Sequence, residues 1–188
     1  MTARADDSRL STVALPRRRE AGTPYRIAVV CLGNICRSPI GEVVLTELVD
    51  RAGLADEVEV VSAGTGDWHV GNPMDRRAAE VLAAHGYDPT RHRAKLFESS
   101  WFDECDLILA MDRANLREIS ALDTPDQSTD EPVRLRMFRD FDPSADDENR
   151  DIPDPYFGGD EGFASVLAMA ERTASAIVEV FLLRVNED

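Results

Sequence analysis

Apolar residues along the chain follow two rhythms. Short continuous runs at 26–31, 58–61, 106–111 and 133–137 read as buried strands, the last being the weakest. Between them the apolar positions recur at helical spacing. Ile40, Val43, Val44 and Leu48 lie on one helix face, with Ser38 suited to the cap, Pro39 to the first position and Gly53 to the end. Asn72 and Pro73 open a second helix through Val81 and Leu82, closed by His85 and Gly86. Residues 115–122 form a third, and residues 163–183 a long last helix. Strands alternating with helices predict an α/β fold, a three-layer sandwich with a four-stranded parallel sheet and helices on both faces. Residues 123–132 and 142–155 are acidic, proline-containing and aperiodic, and are expected as solvated loops. Residues 1–24 show neither rhythm. They are expected as a disordered arm ahead of one domain over 25–188.

Composition narrows the function classes. With 188 residues and 43% hydrophobic content the chain can bury one proper core. A formal charge of −15 argues against a nucleic-acid partner or an anionic membrane surface. Any phosphate site must therefore be a local positive exception. Lys95 is the single lysine among 21 basic residues, so arginine carries the positive charge. Three cysteines are too few for a disulfide scaffold and favour a reducing compartment. No run approaches the length of a membrane span. Arg17, Arg18 and Arg19 lead to Glu20, Gly22 and Pro24, not to the apolar core of a signal peptide. A cytoplasmic monomer, or a protein exported without a signal peptide, is the expectation. His69, His85 and His92 show no ligand spacing, so no metal and no cofactor are expected.

The chemistry concentrates in the ten residues Val30 to Pro39, which read V-C-L-G-N-I-C-R-S-P. The first strand ends at Cys31, and ligands of parallel sheets bind beyond the carboxyl ends of strands. A catalytic phosphate-binding loop is thus expected directly after strand 1. The N–H groups of a loop entering a helix point inward, where the helix dipole adds positive charge. Gly33 and Asn34 tolerate the left-handed backbone such a nest needs. Arg37 offers a planar fork matched to two oxyanion oxygens. The same field favours a thiolate, which makes Cys31 a candidate nucleophile. Ser38 is placed to donate to that sulfur. A cysteine and an arginine at this spacing also serve reduction or sensing, and no G-x-x-x-x-G-K-[ST] nucleotide loop is present. A phosphate ester further needs a proton for its leaving oxygen. Asp154, in a stretch stiffened by Pro153 and Pro155, is one supplier among several acidic neighbours.

These motifs resemble the low-molecular-weight protein tyrosine phosphatase family. The match includes the V-C-x-G-N-x-C-R-S-P loop and, far downstream, Asp154-Pro155-Tyr156. The likeness runs from Tyr25 to the last helix and is closest to actinobacterial-type members. It implies hydrolysis of phosphotyrosine in proteins through a phosphocysteine. Cys31 is then the nucleophile, Arg37 the phosphate ligand and Asp154 the general acid and base. Leu32, Gly33, Asn34, Ile35, Cys36 and Ser38 complete the phosphate loop, which takes inorganic phosphate or vanadate. Trp68, Tyr156 and Phe157 supply the aromatic walls, and Ser62 and His92 support the loop. The resemblance also implies a redox role for Cys36, forming a disulfide that protects Cys31. Phe157 replaces a frequent second tyrosine, which restricts regulatory phosphorylation there to Tyr156.

Three alternatives compete. Arsenate reductases of this scaffold need a cysteine relay, for which Cys105 is a poor substitute. Protein-arginine phosphatases favour threonine where Ile35 stands. A non-enzymatic phosphotyrosine-binding or redox-sensing module would not need Cys31, Arg37 and Asp154 together.

Overall fold

Alternate side chains of the first strand enter different cores. Ile27, Val29 and Cys31 join one apolar cluster, and Ala28 and Val30 join the other. That requires cover on both faces, and the structure, a computed structural model describing residues 15–123 and 133–185, supplies it. The elements run β1 (Tyr25–Cys31), α1 (Arg37–Arg51), β2 (Val58–Gly64), α2 (Arg76–Ala84), α3 (Trp101–Glu104), β3 (Leu107–Ala110), α4 (Arg113–Ser120), β4 (Leu135–Met137) and α5 (Asp160–Val185). The four strands pair in parallel in the order β2-β1-β3-β4. α1, α2 and α5 bury Ile40, Val44, Leu82, Phe163 and Ile177 on one face. α3 and α4 cover the other, where Ile119 packs beside Ala28, Val30 and Ile108. Among the described residues no helix is long and apolar enough to cross a membrane.

The sheet and its three layers match the pattern of apolar runs. The corrections concern boundaries. Cys36, not Ser38, occupies the cap position of α1, and no side chain caps it. Ser38 and Pro39 are already helical, because the Ser38 hydroxyl is engaged in the loop. α2 starts at Arg76, not at Asn72-Pro73, because Asp75 caps it by accepting from the Arg77 N–H. α3 and the 3-10 turn Phe138–Phe141 are too short to show a periodicity.

The expectation of a disordered arm over 1–24 fails for residues 15–24. Leu15 is buried, and the Tyr25 hydroxyl donates to Pro16 O at 3.3 Å. Arg18 pairs with Glu57 at 2.9 Å. The buried Asp106 carboxylate needs donors, and the backbone N–H groups of Arg19 (2.5 Å) and Arg26 (2.8 Å) provide them. Residues 1–14 lie outside the described residues. So does most of the acidic stretch 123–132. The other acidic stretch is anchored rather than solvated throughout. Asp142 is buried and bonded to Arg139 at 2.9 Å and Arg172 at 3.2 Å.

Candidate active site

The turn from β1 into α1 lies across Gly64, the last residue of β2. A Cβ there would stand 2.7 Å from Leu32 O and 3.0 Å from Asn34 N, so glycine is what lets the loop sit this close. Asn34 takes the left-handed backbone at φ 52° and aims its N–H at Cys31 Sγ, 3.3 Å away. Ser38 Oγ lies 3.0 Å from the same sulfur. Cys31 is thus flanked by two polar groups at the carboxyl end of the strand.

Arg37, the first residue of α1, turns its guanidinium back over the loop. One nitrogen, Nη1, bonds the Asp112 carboxylate and Ile152 O (3.2 Å). The other, Nη2, bonds Asp154 Oδ2 at 3.0 Å. Burial opposes the charge of Arg37, but Cys31, Asp154 and Asp112 outweigh it and hold the guanidinium protonated more firmly than usual. Asp112 is fixed in turn, since it caps α4 by accepting from the Asn115 N–H at 2.7 Å. The Pro-flanked stretch brings Asp154 to the loop because Ile152 is anchored at both ends of its peptide. Its N–H donates to Met111 O at 2.8 Å, and its carbonyl accepts from Arg37.

Cys31, Arg37 and Asp154 line one pocket of about 180 Å³ with Leu32, Gly33, Ile35, Cys36, Trp68, His69, Tyr156 and Phe157. Trp68 is 69% exposed and Phe157 94%, so two aromatic rings face solvent at the rim, Phe157 edge-on to Tyr156 at 5.0 Å. Gly66 seats the indole. A Cβ at that position would fall 1.9 Å from the Trp68 ring.

A thiol, a guanidinium and a carboxyl group meet here around a small cavity, and the comparisons with known proteins agree with that chemistry. The model of low molecular weight phosphotyrosine protein phosphatases matches residues 26–187. A low molecular weight protein-tyrosine-phosphatase of Streptomyces coelicolor is 42% identical over 154 residues, 82% of this chain and 92% of that one. The low molecular weight protein-tyrosine phosphatase A of Mycobacterium tuberculosis is 43% identical over 148 residues, 79% of this chain and 86% of that one. The chain belongs to the low molecular weight protein-tyrosine phosphatase family. Its fold matches that of an Entamoeba histolytica protein tyrosine phosphatase crystallised with Hepes in the active site. The TM-score is 0.75 at 30% identity, covering 87% of this chain and 99% of that one.

In this phosphatase Asn34 and Ser38 do not line the pocket, although the sequence placed them among the substrate-binding residues. Both side chains are fully buried behind the loop. Asn34 Nδ2 donates one hydrogen to Ser38 Oγ and the other to Ser62 Oγ, each at 2.8 Å. Ser62 donates to Glu42 Oε2 at 2.7 Å, and His92 Nδ1 faces the same oxygen at 2.9 Å. His92 Nε2 lies 2.8 Å from Asn34 O; a carbonyl only accepts, so this nitrogen carries a hydrogen. The Lys95 N–H completes the set at Asn34 Oδ1, 2.8 Å. Every polar atom of the Asn34 side chain is paired, which is what a buried amide requires. Ser38 accepts from Asn34 and so directs its own hydrogen towards Cys31 Sγ or Ala63 O. Burial, Asp75, Cys31 and Asp154 push the Cys36 thiol up to about 12, so it is neutral at ordinary pH. All three cysteines are free thiols.

Reasoning from sequence missed Asp112, Glu42 and His69. Asp112 had a readable signal, an acidic residue at a helix start directly after a strand. Glu42 looks like any exposed helix carboxylate, and His69 like an isolated loop histidine. Among the described residues no group of His, Cys, Asp and Glu is placed to hold a metal.

Proposed function

We propose that the site hydrolyses phosphotyrosine in proteins by two displacements at phosphorus. Cys31 Sγ attacks, the S–P bond forms and the bond to the tyrosine oxygen breaks. Asp154 gives its proton to that oxygen. A water then attacks phosphorus, Asp154 takes its proton, and the S–P bond breaks to release phosphate and the Cys31 thiolate. Arg37 and the loop N–H groups hold the oxygens on which charge spreads, the largest contribution expected of such a site. Ser38 steadies the sulfur as it leaves.

The observation that carries this reading is the 3.0 Å contact between Arg37 and Asp154, residues 117 positions apart, in the pocket that Cys31 also lines. It supports pairing a proton donor with a phosphate ligand in one pocket. A phosphate dianion entering this fork takes the place of Asp154 at Arg37 Nη2 and leaves the carboxyl beside the ester oxygen. Ile35, Trp68 and Tyr156 line the pocket as apolar or aromatic surfaces and favour an aryl ester over phosphoarginine. Cys105 weighs against an arsenate relay. It is fully buried just before β3, at the sheet end opposite Cys31. Cys36 has a second role in this reading. Peroxide converts the Cys31 thiolate to a sulfenic acid with loss of hydroxide, and the Cys36 thiol condenses with it, releasing water and forming a disulfide.

Initial rates on p-nitrophenyl phosphate, phosphotyrosine peptide, phosphoarginine and arsenate test this directly. Metal-free, vanadate-sensitive hydrolysis of the aryl esters is expected, with Cys31→Ser inactive yet still binding phosphate. Full turnover by Cys31→Ser, or fast phosphoarginine release with negligible phosphotyrosine hydrolysis, overturns the reading.

A further inference from the structure

The segment carrying Asp154 is held at its far end by a residue outside the pocket. Residues 153–159 connect the anchored Ile152 to α5, and most of them are exposed. Arg77, the second residue of α2, reaches across to this segment. Its Nη1 donates to Gly158 O at 3.1 Å and its Nη2 to Tyr156 O at 3.0 Å. The same guanidinium grips Asp75 with two further bonds, Nε to Oδ1 and Nη2 to Oδ2, each 3.1 Å. It also lies 4.6 Å from the centroid of the Phe163 ring and 5.8 Å from that of Tyr156. Asp75 closes the circuit, because its N–H donates to Ile35 O in the phosphate loop at 2.7 Å. The Tyr156 N–H meanwhile donates to Asp154 Oδ1 at 3.1 Å. The backbone of Tyr156 is thus pinned at its N–H by Asp154 and at its carbonyl by Arg77.

We propose that Arg77 is a positioning residue that sets the height of Asp154 over the phosphate loop, by clamping the 156–158 backbone to Asp75 and through it to Ile35. The proposal rests on Asp154 being the general acid. Arg77 does not line the pocket, so its loss leaves phosphate binding to Arg37 and the loop intact. It frees the carbonyls of Tyr156 and Gly158, and Asp154 drifts from the leaving oxygen. A planar fork makes these four bonds at once, which a lysine ammonium does not reproduce.

The test compares leaving groups. kcat/KM for phenyl phosphate and p-nitrophenyl phosphate, vanadate affinity and Tm are measured for the wild type, Arg77→Gln, Arg77→Lys and Asp154→Asn. Proton donation matters most for the poor leaving group. Arg77→Gln should lower kcat/KM for phenyl phosphate about 10- to 100-fold, a part of the range for general acid catalysis, and change p-nitrophenyl phosphate by less than about threefold. Vanadate affinity should hold, and Arg77→Lys should recover only part of the loss. If Arg77→Gln does not fold, Arg77→Lys is scored by the same ratio. An equal loss on both esters, or none, overturns the clamp when Asp154→Asn does show the leaving-group dependence. If Asp154→Asn lacks that dependence, the general-acid reading falls and the clamp with it.

Discussion

At the amino end of the sheet, Asp106 receives the backbone N–H groups of Arg19 and Arg26. At the carboxyl end, Asp112 and Asp154 receive the guanidinium of Arg37. Both ends bring acidic side chains to donors from distant sequence, yet with opposite consequences. At the amino end backbone donors satisfy the carboxylate, and Leu15 and the Tyr25–Pro16 contact seal the surface. Both oxygens of the Asp106 carboxylate are taken by those donors. At the carboxyl end the donors face a cavity, and one of the two acids, Asp154, is exposed and, in the proposed mechanism, gives way to a substrate oxyanion. A saturated polar cluster gives stability; one with an exchangeable member gives catalysis.

The comparison breaks if either end behaves like the other. The largest effect is expected from Arg37→Lys, which keeps the charge but loses the fork. kcat should fall about 10²- to 10³-fold, as for loss of one oxyanion donor. Circular dichroism should show a folded protein, and a loss of activity below tenfold would equate the two ends. Asp106→Ala should do the reverse. Two buried N–H groups lose their acceptor, costing about 2–5 kcal/mol in urea unfolding, with kcat per folded molecule unchanged.

Acid should weaken the scaffold behind the catalytic segment. Burial opposes the charge of Asp142, but the Ser144 N–H, Arg172 and Arg139 outweigh it and hold its carboxyl below the usual range. A depressed folded value stabilises above the unfolded carboxylate pKa of about 3.9 and is lost as pH falls through the lower folded value. The wild type should therefore lose stability below about pH 4 more steeply than Asp142→Asn, read from urea midpoints against pH. Equal slopes would remove Asp142 as a cause. The smallest effect should come from Gly66→Ala. The added methyl occupies the place of the Trp68 ring, which is free to swing outward. KM for aryl phosphates should rise about two- to tenfold, the value of one aromatic contact, with kcat and Tm nearly constant.

The sheet was readable because buried parallel strands leave continuous apolar runs. The phosphate loop was readable because its residues are consecutive: Cys31, Gly33, Asn34 and Arg37 are one local device with its own spacing. Asp154 was not readable as chemistry. It stands among Asp146, Asp147, Glu148 and Asp151, and only the family likeness of Asp-Pro-Tyr set it apart. The ordered segment 15–24 was hidden for a related reason, since Pro16 and Arg19 find their partners in Tyr25, Cys105 and Asp106 only after folding.

Local patterning thus determined the layers, the loop and the candidate nucleophile, because period and spacing act between neighbours in sequence. Tertiary structure alone decided that Arg37 meets Asp112 and Asp154. It also decided that Asn34, Ser62, Glu42 and His92 close one hydrogen-bonded set behind Cys31, and that Arg77 reaches the segment after Asp154. These pairings span long stretches of chain. Their energy depends on distance and desolvation in the folded state, which composition and periodicity do not encode.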